Sequence, residues 1–501
     1  MLAVGANLGY HHAHNTMSTI LSYLETAWLI LLVILFFNVM IFVHELGHFL
    51  AGKWRGAYID RFQIWFGKPI WQKKIGGVQW GLGWIPAGGF VSLPQLADMQ
   101  AIEGEADIPK DLKPLKPLDK VIIAAAGPLF SLLLAYVFAC VVWGVGNPVY
   151  ESSATIGYVH PTFTVGEQGT EKIASPAAAA GLQAGDTVLA VNGNLISEGS
   201  GKNSINKWAR VRELIALSPT PEIKFTVDRN GQTLDLICDC RPLEKYSTGN
   251  WWSFGRSGLR QVGIAEASPA VIGTILPGSP AEKAGLTPGQ RITALNGNPI
   301  FSPAEISVAS TDGKEMELTL DNGTTCKITP VLPTNWKDIK EATPRLGLTW
   351  ADTRRYELDH PTPQAQVNQS LKWMGDTISA LAAPGSSVSL EHLSGPVGIG
   401  THLYQMLQSE NGWRLILWFA VVLNVNLAVL NILPLPIVDG GHVVLGTAEM
   451  ILRRPVAGKI LDYIQFAFFF CILAVFIFIT FKDVGDAVGS GQLPEPVFTE
   501  K

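Results

Sequence analysis

Charged residues are scarce in this chain. They make up 16% of its 501 residues, where about a quarter is usual for a soluble domain. Basic tracts are absent and the formal net charge is -5, so nothing points to nucleic acid as a partner. Cysteine is equally sparse, with five in all, at 140, 238, 240, 326 and 471. Their spacing makes no metal-ligand set and supports no disulfide framework. Cys140 and Cys471 fall inside apolar runs and are expected to pack there. Cys238 and Cys240 share one face of an expected strand. The first apolar run is followed by no small-residue cleavage site, so it is expected to be retained rather than removed as a signal peptide. His11, His12 and His14 lie in a polar stretch expected to be a disordered terminus.

Apolar runs, by contrast, are long. Hydrophobic residues make up 48% of the chain and the mean hydropathy is +0.24. Four runs approach the roughly 17–25 residues that a helix needs to cross a bilayer: Ala27–Val43, Val121–Val145, Leu415–Leu433 and Ile464–Phe481. Basic residues gather between the first two, from Lys53 and Arg55 to Lys110, Lys113, Lys116 and Lys120, and between the last two, at Arg453, Arg454 and Lys459. The positive-inside rule puts both loops in the cytoplasm and leaves the termini and the long central region outside.

The first run has one polar member, Asn38, and leads directly into His44-Glu45-Leu46-Gly47-His48. H-E-x-x-H on a helix puts two imidazoles at i and i+4, facing one metal. Glu45 follows the first of them and can reach a metal-bound water as general base. Ionisable groups in a membrane segment are costly and usually functional. Two histidines leave a catalytic zinc one protein ligand short. The third run offers it: Pro434-Leu435-Pro436-Ile437-Val438-Asp439-Gly440-Gly441-His442 reads as a helix broken around an acid. Under the topology above, Asp439 lies on the same side as His44 and His48. His442 is the rival ligand, and the carboxylate inside the broken turn is preferred.

The central region repeats itself. Ser175-Pro176-Ala177, Ala180-Gly181-Leu182 and Asn192-Gly193 recur as Ser279-Pro280-Ala281, Ala284-Gly285-Leu286 and Asn296-Gly297, each offset by 104 residues. A fixed offset means two copies of one unit, read as a short helix, a turn, a strand and an N-G hairpin turn. A strand precedes each copy, at Ile156–Val159 and Ile272–Ile275. The unit resembles the circularly permuted PDZ domain of bacteria, which implies peptide binding by strand addition beside a groove. Between the first two apolar runs, Phe62–Gly67, Gly77–Leu82 and Gly88–Val91 look like short strands separated by turns. They are rich in Trp, Phe and Gly, which suits a β-hairpin at the bilayer that could offer a sheet edge to an extended substrate.

H-E-x-x-H in a first span with N-x-x-P-x-P-x-x-D-G-G in a later one resembles the paired signature of the site-2 protease family of intramembrane metalloproteases. Tandem PDZ-like copies between the second and third spans resemble its regulator-of-sigma-E protease branch. Ala126-Gly127-Pro128, Gly88-Gly89-Phe90-Val91 and Ser394-Gly395-Pro396-Val397-Gly398-Ile399 fit as well. One motif departs: the family's G-P-x-x-N reads Gly127-Pro128-Leu129-Phe130-Ser131 here. The resemblance implies zinc held by His44, His48 and Asp439, with Glu45 catalytic. It also implies that Asn426, Asn431, Pro434 and Pro436 bind the unwound substrate.

The expected fold is a polytopic α-helical membrane protein with four transmembrane helices, a membrane-associated β-hairpin region and two extracytoplasmic PDZ domains. The expected divisions are 1–56 (tail and first span), 57–116 (β-rich loop), 117–147 (second span), 148–245 and 260–335 (the two PDZ copies), 336–412 (linker and juxtamembrane helix), 413–446 (third span) and 447–501 (loop, fourth span and tail). The family implies a bacterial inner-membrane location. It implies single-span membrane proteins as substrates, trimmed beforehand by an upstream site-1-type protease: an anti-sigma factor first, remnant signal peptides second. The copies are expected to act chiefly as a size filter. A PDZ-bearing scaffold without activity is the runner-up, disfavoured by the complete set of catalytic residues. A metal transporter would want ionisable groups on several spans, and the second and fourth are bare.

Overall fold

The computed structural model describes residues 3–96, 112–165, 171–196, 206–241, 258–337, 339, 342–454, 458–489 and 496–498. Lys110 and nearly all of the stretch from Ser247 to Leu259 lie outside them. The chain divides into two units. The first takes residues 1–147, 360–374 and 395–478, and the second takes 148–359, 375–394 and 479–501.

The first unit is built on helices. α1 runs from Ala3 to Arg55, so the stretch with His11, His12 and His14, expected to be disordered, is helical. A helix costs most to start and little to extend, and the apolar run behind this stretch supplies the start. Arg61–Ile75 (β1) and Val78–Ser92 (β2) form a two-stranded pair. α2 spans Pro117–Val145, with Pro at its first turn. Later come α3 (Pro396–Leu407), α4 (Gly412–Ile432), α5 (Asp439–Leu452) and α6 (Gly458–Gly489). Four segments are long and apolar enough to cross a membrane: Thr26–Arg55, Pro117–Val145, Gly412–Ile432 and Tyr463–Asp486. Cys140 and Cys471 lie on exposed faces of these helices, not packed as expected, and all five cysteines are free. An apolar face turned to lipid needs no partner, and sequence cannot tell it from a packed one.

β1 and β2 are longer than the three short strands expected. Arg61–Ile64 pairs both with Gln79–Leu82 and with Gly89–Ser92, so the hairpin doubles back on itself. Positive φ at Trp65, Gly67 and Gly88 makes the bends. Asn38, the lone polar residue of the first apolar run, pins this sheet to α1: Trp65 Nε1 donates to its Oδ1 at 2.6 Å. Phe62 and Val91 from the sheet, Ala51 from α1, and Ile123 and Ala126 from α2 form one buried cluster.

In the second unit, the two stretches related by the 104-residue offset take the same order of elements. Ser175 caps helix Pro176–Ala179 by accepting from the Ala178 N–H, and Ser279 caps Pro280–Lys283 through the Glu282 N–H. A strand follows each, Thr187–Val191 and Arg291–Leu295, and then a longer helix, Lys207–Ala216 and Pro303–Ser310. Antiparallel pairs close them: Glu222–Arg229 with Gln232–Asp239, and Met316–Leu320 with Thr325–Ile328. Each has its own apolar core, around Phe225 and Ile223 in the first and Leu318 and Ile292 in the second. The last strand of each, Ile264–Glu266 or Leu348–Trp350, pairs antiparallel with the first, Ile156–Val159 or Ala270–Ile275.

Candidate metal centre

His44 and His48 sit one turn apart on α1, so their rings share a face. Their Nε2 atoms are 3.3 Å apart. The opposite nitrogen of each ring is held by α2. His44 Nδ1 lies 3.0 Å from Ser131 Oγ, and His48 Nδ1 lies 2.9 Å from the Ile123 carbonyl oxygen. A carbonyl only accepts, so His48 Nδ1 carries the proton and Nε2 keeps its lone pair, the form that a metal takes. Close approach of the two helices makes these contacts. The His48 ring lies over Gly127, where any Cβ would overlap it, and Gly47 faces the Ala126 backbone in the same way.

The third donor arrives through a broken helix. α4 ends at Ile432, the chain turns through Leu433–Val438, and α5 begins at Asp439. Gly440 and Gly441 are needed there, because the carbonyls of Ile432, Leu433 and Leu435 occupy the space a side chain would take. Asp439 Oδ2 stands 3.2 Å from His44 Nε2, and Oδ1 stands 3.3 Å from His48 Nε2. Among the described residues, His44, His48 and Asp439 form the one group able to hold a metal, with ligand atoms all within 4.8 Å. Asp439 Oδ2 is buried and has no hydrogen-bond partner. Lone pairs crowded round one point repel unless a cation lies between them. Two imidazoles and a carboxylate are also the donor set of a catalytic zinc with one position open. The residues fit a metal.

Glu45 is half-buried beside this group and takes a hydrogen bond from the Val91 backbone. A Cβ on Gly89 would sit 3.6 Å from its Cγ. β2 therefore passes directly by the candidate base. Glu45, the three candidate ligands, Gly89 and Asn431 share the wall of a cavity of about 440 Å³. His442 lines the same cavity but stands outside the ligand group.

Of the four residues expected to bind substrate, the structure brings Asn431 to the cavity and leaves Asn426, Pro434 and Pro436 off its wall. Asn426 keeps a buried Oδ1 without a partner, Pro434 is exposed, and the Pro436 carbonyl accepts from Gln465 Nε2 at 3.2 Å. Sequence reasoning missed the Ile123 carbonyl, which has no side-chain signal. In the sequence Gly127 stands out only as part of the Ala126-Gly127-Pro128 motif. Its neighbours Ala126 and Pro128 were the available hint of a close helix contact.

A helix-borne pair of imidazoles with a carboxylate between them, completed by an acid from a broken helix, is the metallopeptidase type of arrangement. The chain belongs to peptidase family M50, the site-2 protease family, whose profile matches residues 32–475. Among its relatives is a protein of Neisseria meningitidis serogroup A, provisionally described as a zinc metalloprotease. It is 29% identical over 445 residues, covering 84% of this chain and 91% of that protein. A protein of Campylobacter jejuni with the same description is 24% identical, covering 91% and 93%. Protease RseP of Yersinia pestis is 25% identical, covering 87% and 94%.

Proposed function

We propose that this protein is a zinc endopeptidase that cuts peptide bonds within the membrane-spanning segments of single-span proteins. The observation that carries this reading is the His44–His48–Asp439 group with Glu45 beside it, in which His44, Glu45 and His48 lie on a helix apolar enough to cross a bilayer. His44, His48 and Asp439 would hold a zinc ion, which would supply Lewis acidity to the water and to the scissile carbonyl. Glu45 takes the proton of the attacking water and passes it to the departing amide nitrogen. Ser131 and the Ile123 carbonyl hold the two imidazoles in register. Asp439, at the first turn of α5, is held in place by the glycine-lined bend behind it.

A substrate helix hides its amides in its own hydrogen bonds and must unwind before attack. The β2 segment Gly89–Val91 is a sheet edge, because it pairs only with β1, and it lies beside Glu45. An unwound substrate can add there as a strand, with the Asn431 amide available to its freed backbone groups. Asn426, Pro434 and Pro436 support the bend and its neighbours on this reading.

On this reading the two central copies are PDZ domains of a bacterial inner-membrane protein, and the basic loops on either side of the spans support an extracytoplasmic position for them. Their position between the second and third spans suits exclusion of bulky ectodomains, so that a chain already trimmed by an upstream protease is the substrate. An anti-sigma factor is the first candidate and a remnant signal peptide the second. Co-expression with a single-span substrate, in full-length and trimmed forms, tests this. The trimmed form is cut by the wild type and left intact by Glu45→Gln. Equal cutting by both refutes the reading.

A further inference from the structure

The two central stretches build one turn from the same parts and finish it differently. In the first, Gly263 has φ +88°, its carbonyl accepts from His160 N–H at 2.8 Å, and the Val262 carbonyl accepts from Ala177 N–H at 2.8 Å. In the second, Gly347 has φ +74°, its carbonyl accepts from Leu276 N–H at 2.8 Å, and the Leu346 carbonyl accepts from Ala281 N–H at 3.0 Å. A Cβ on either glycine would run into the capping serine, Ser175 or Ser279, and into an aromatic ring. For Gly263 the ring is Phe163, at 3.2 Å; for Gly347 it is Phe498, at 2.8 Å.

The two rings come from different places. Phe163 belongs to a hairpin, Thr162–Val165 with Glu171–Ala174, inserted between the first strand and the capped helix of its own stretch. The second stretch has no hairpin there. Its strand Ala270–Ile275 leads through residues 276–279 into the helix. The ring arrives instead from the far end of the chain, and it is buried, with Phe498 9% exposed. The preceding residue is gripped by its backbone. The Val497 carbonyl accepts from Thr334 N–H at 2.7 Å and from Thr334 Oγ1 at 2.8 Å, and the Val497 N–H donates to Asn335 Oδ1 at 2.9 Å.

We propose that this niche on the second stretch is a peptide-binding site for an extended segment with an aromatic side chain, and that its resident ligand is the chain's own Pro496–Phe498. Three hydrogen bonds to one residue's main chain select an extended backbone, and the bare face of Gly347 selects a flat ring. The first stretch carries its ring within itself, whereas the second borrows one. A tether supplies the borrowed segment at high effective concentration, so modest affinity suffices to keep it seated.

Hydrogen exchange on the full chain in detergent tests this. Phe498→Ala should speed exchange of the Thr334, Leu276 and Ala281 amides at least tenfold and leave His160 and Ala177 at wild-type rates. Phe163→Ala should do the reverse. Adding the peptide Glu-Pro-Val-Phe-Thr-Glu at millimolar concentration should restore protection to Phe498→Ala, and the same peptide with Ala for Phe should not. Wild-type protection in Phe498→Ala, or a loss that the Phe peptide fails to reverse, overturns the proposal.

Discussion

At the scale of single residues, the centre was legible where chemistry sits in side chains with fixed spacing. His44, Glu45 and His48 announce themselves by the i, i+4 rule, and Asp439 as an acid set among two prolines and two glycines at the end of an apolar run. Ser131 shows the limit. It stands where the family pattern has Asn, and only the structure shows its hydroxyl against His44 Nδ1. Loss of such a partner typically costs 10–100-fold in metal affinity. Ser131→Ala should therefore weaken zinc binding by about that factor in chelator competition, while Ser131→Thr, which keeps the hydroxyl, recovers most of it. An unchanged affinity for Ser131→Ala would reduce the contact to packing. His442 shares the cavity but not the ligand group, so His442→Ala should keep its zinc. Asn426 and Asn431 show another limit. Five residues on a helix turn about 140°, so both could not face one cavity, and motif spacing alone did not say which would.

At the scale of elements, the helices were legible because apolar length is a one-dimensional signal. The β-sheet was not, because its pairing is long-range. Nothing local marks which of the expected strands is an edge: Gln79–Leu82 has neighbours on both sides. The edges are Gly89–Ser92, beside Glu45, and Trp71–Ile75. Proline at an edge removes a donor and bends the strand. Proline at Gly89 or Phe90 should cut substrate cleavage at least tenfold with normal zinc content, and proline at Trp71 or Gln72 should leave cleavage near wild type. Equal effects at both edges would remove strand addition from the account. Strand Gln232–Asp239 offers a check on the first central core. Burial, and secondarily the neighbouring Cys240, push the Cys238 thiol up to about 12. Little thiolate then exists at pH 8. Maleimide should leave Cys238 unmodified in the folded protein and label it after denaturation. Rapid labelling of Cys238 itself in the native chain would mean that this core is open.

At the scale of the whole molecule, the sequence carried the four spans and the 104-residue repeat, both visible without knowing any contact. It could not carry the pairing of Val497 with Thr334 and Asn335, because nothing in either local sequence points to the other. The order of spans and charges makes a plain topological prediction. Reporters fused at Lys110 and at Gly201, both outside the described residues, should lie on opposite sides of the membrane. A shared side would undo the charge-based orientation. Removal of both central copies, Ser153–Arg241 and Gln261–Pro330, should make untrimmed substrates cleavable and leave trimmed ones cut. Loss of cleavage of the trimmed form would make the copies activators rather than a filter.

The central claim is that His44, His48 and Asp439 hold zinc and that Glu45 moves the proton. Zinc content measured beside cleavage in the same purified preparations tests it most directly. Glu45→Gln should hold one zinc per chain, like the wild type, and cut nothing. Asp439→Ala should lose both zinc and cleavage. Full zinc in Asp439→Ala, or cleavage surviving in Glu45→Gln, would contradict the account.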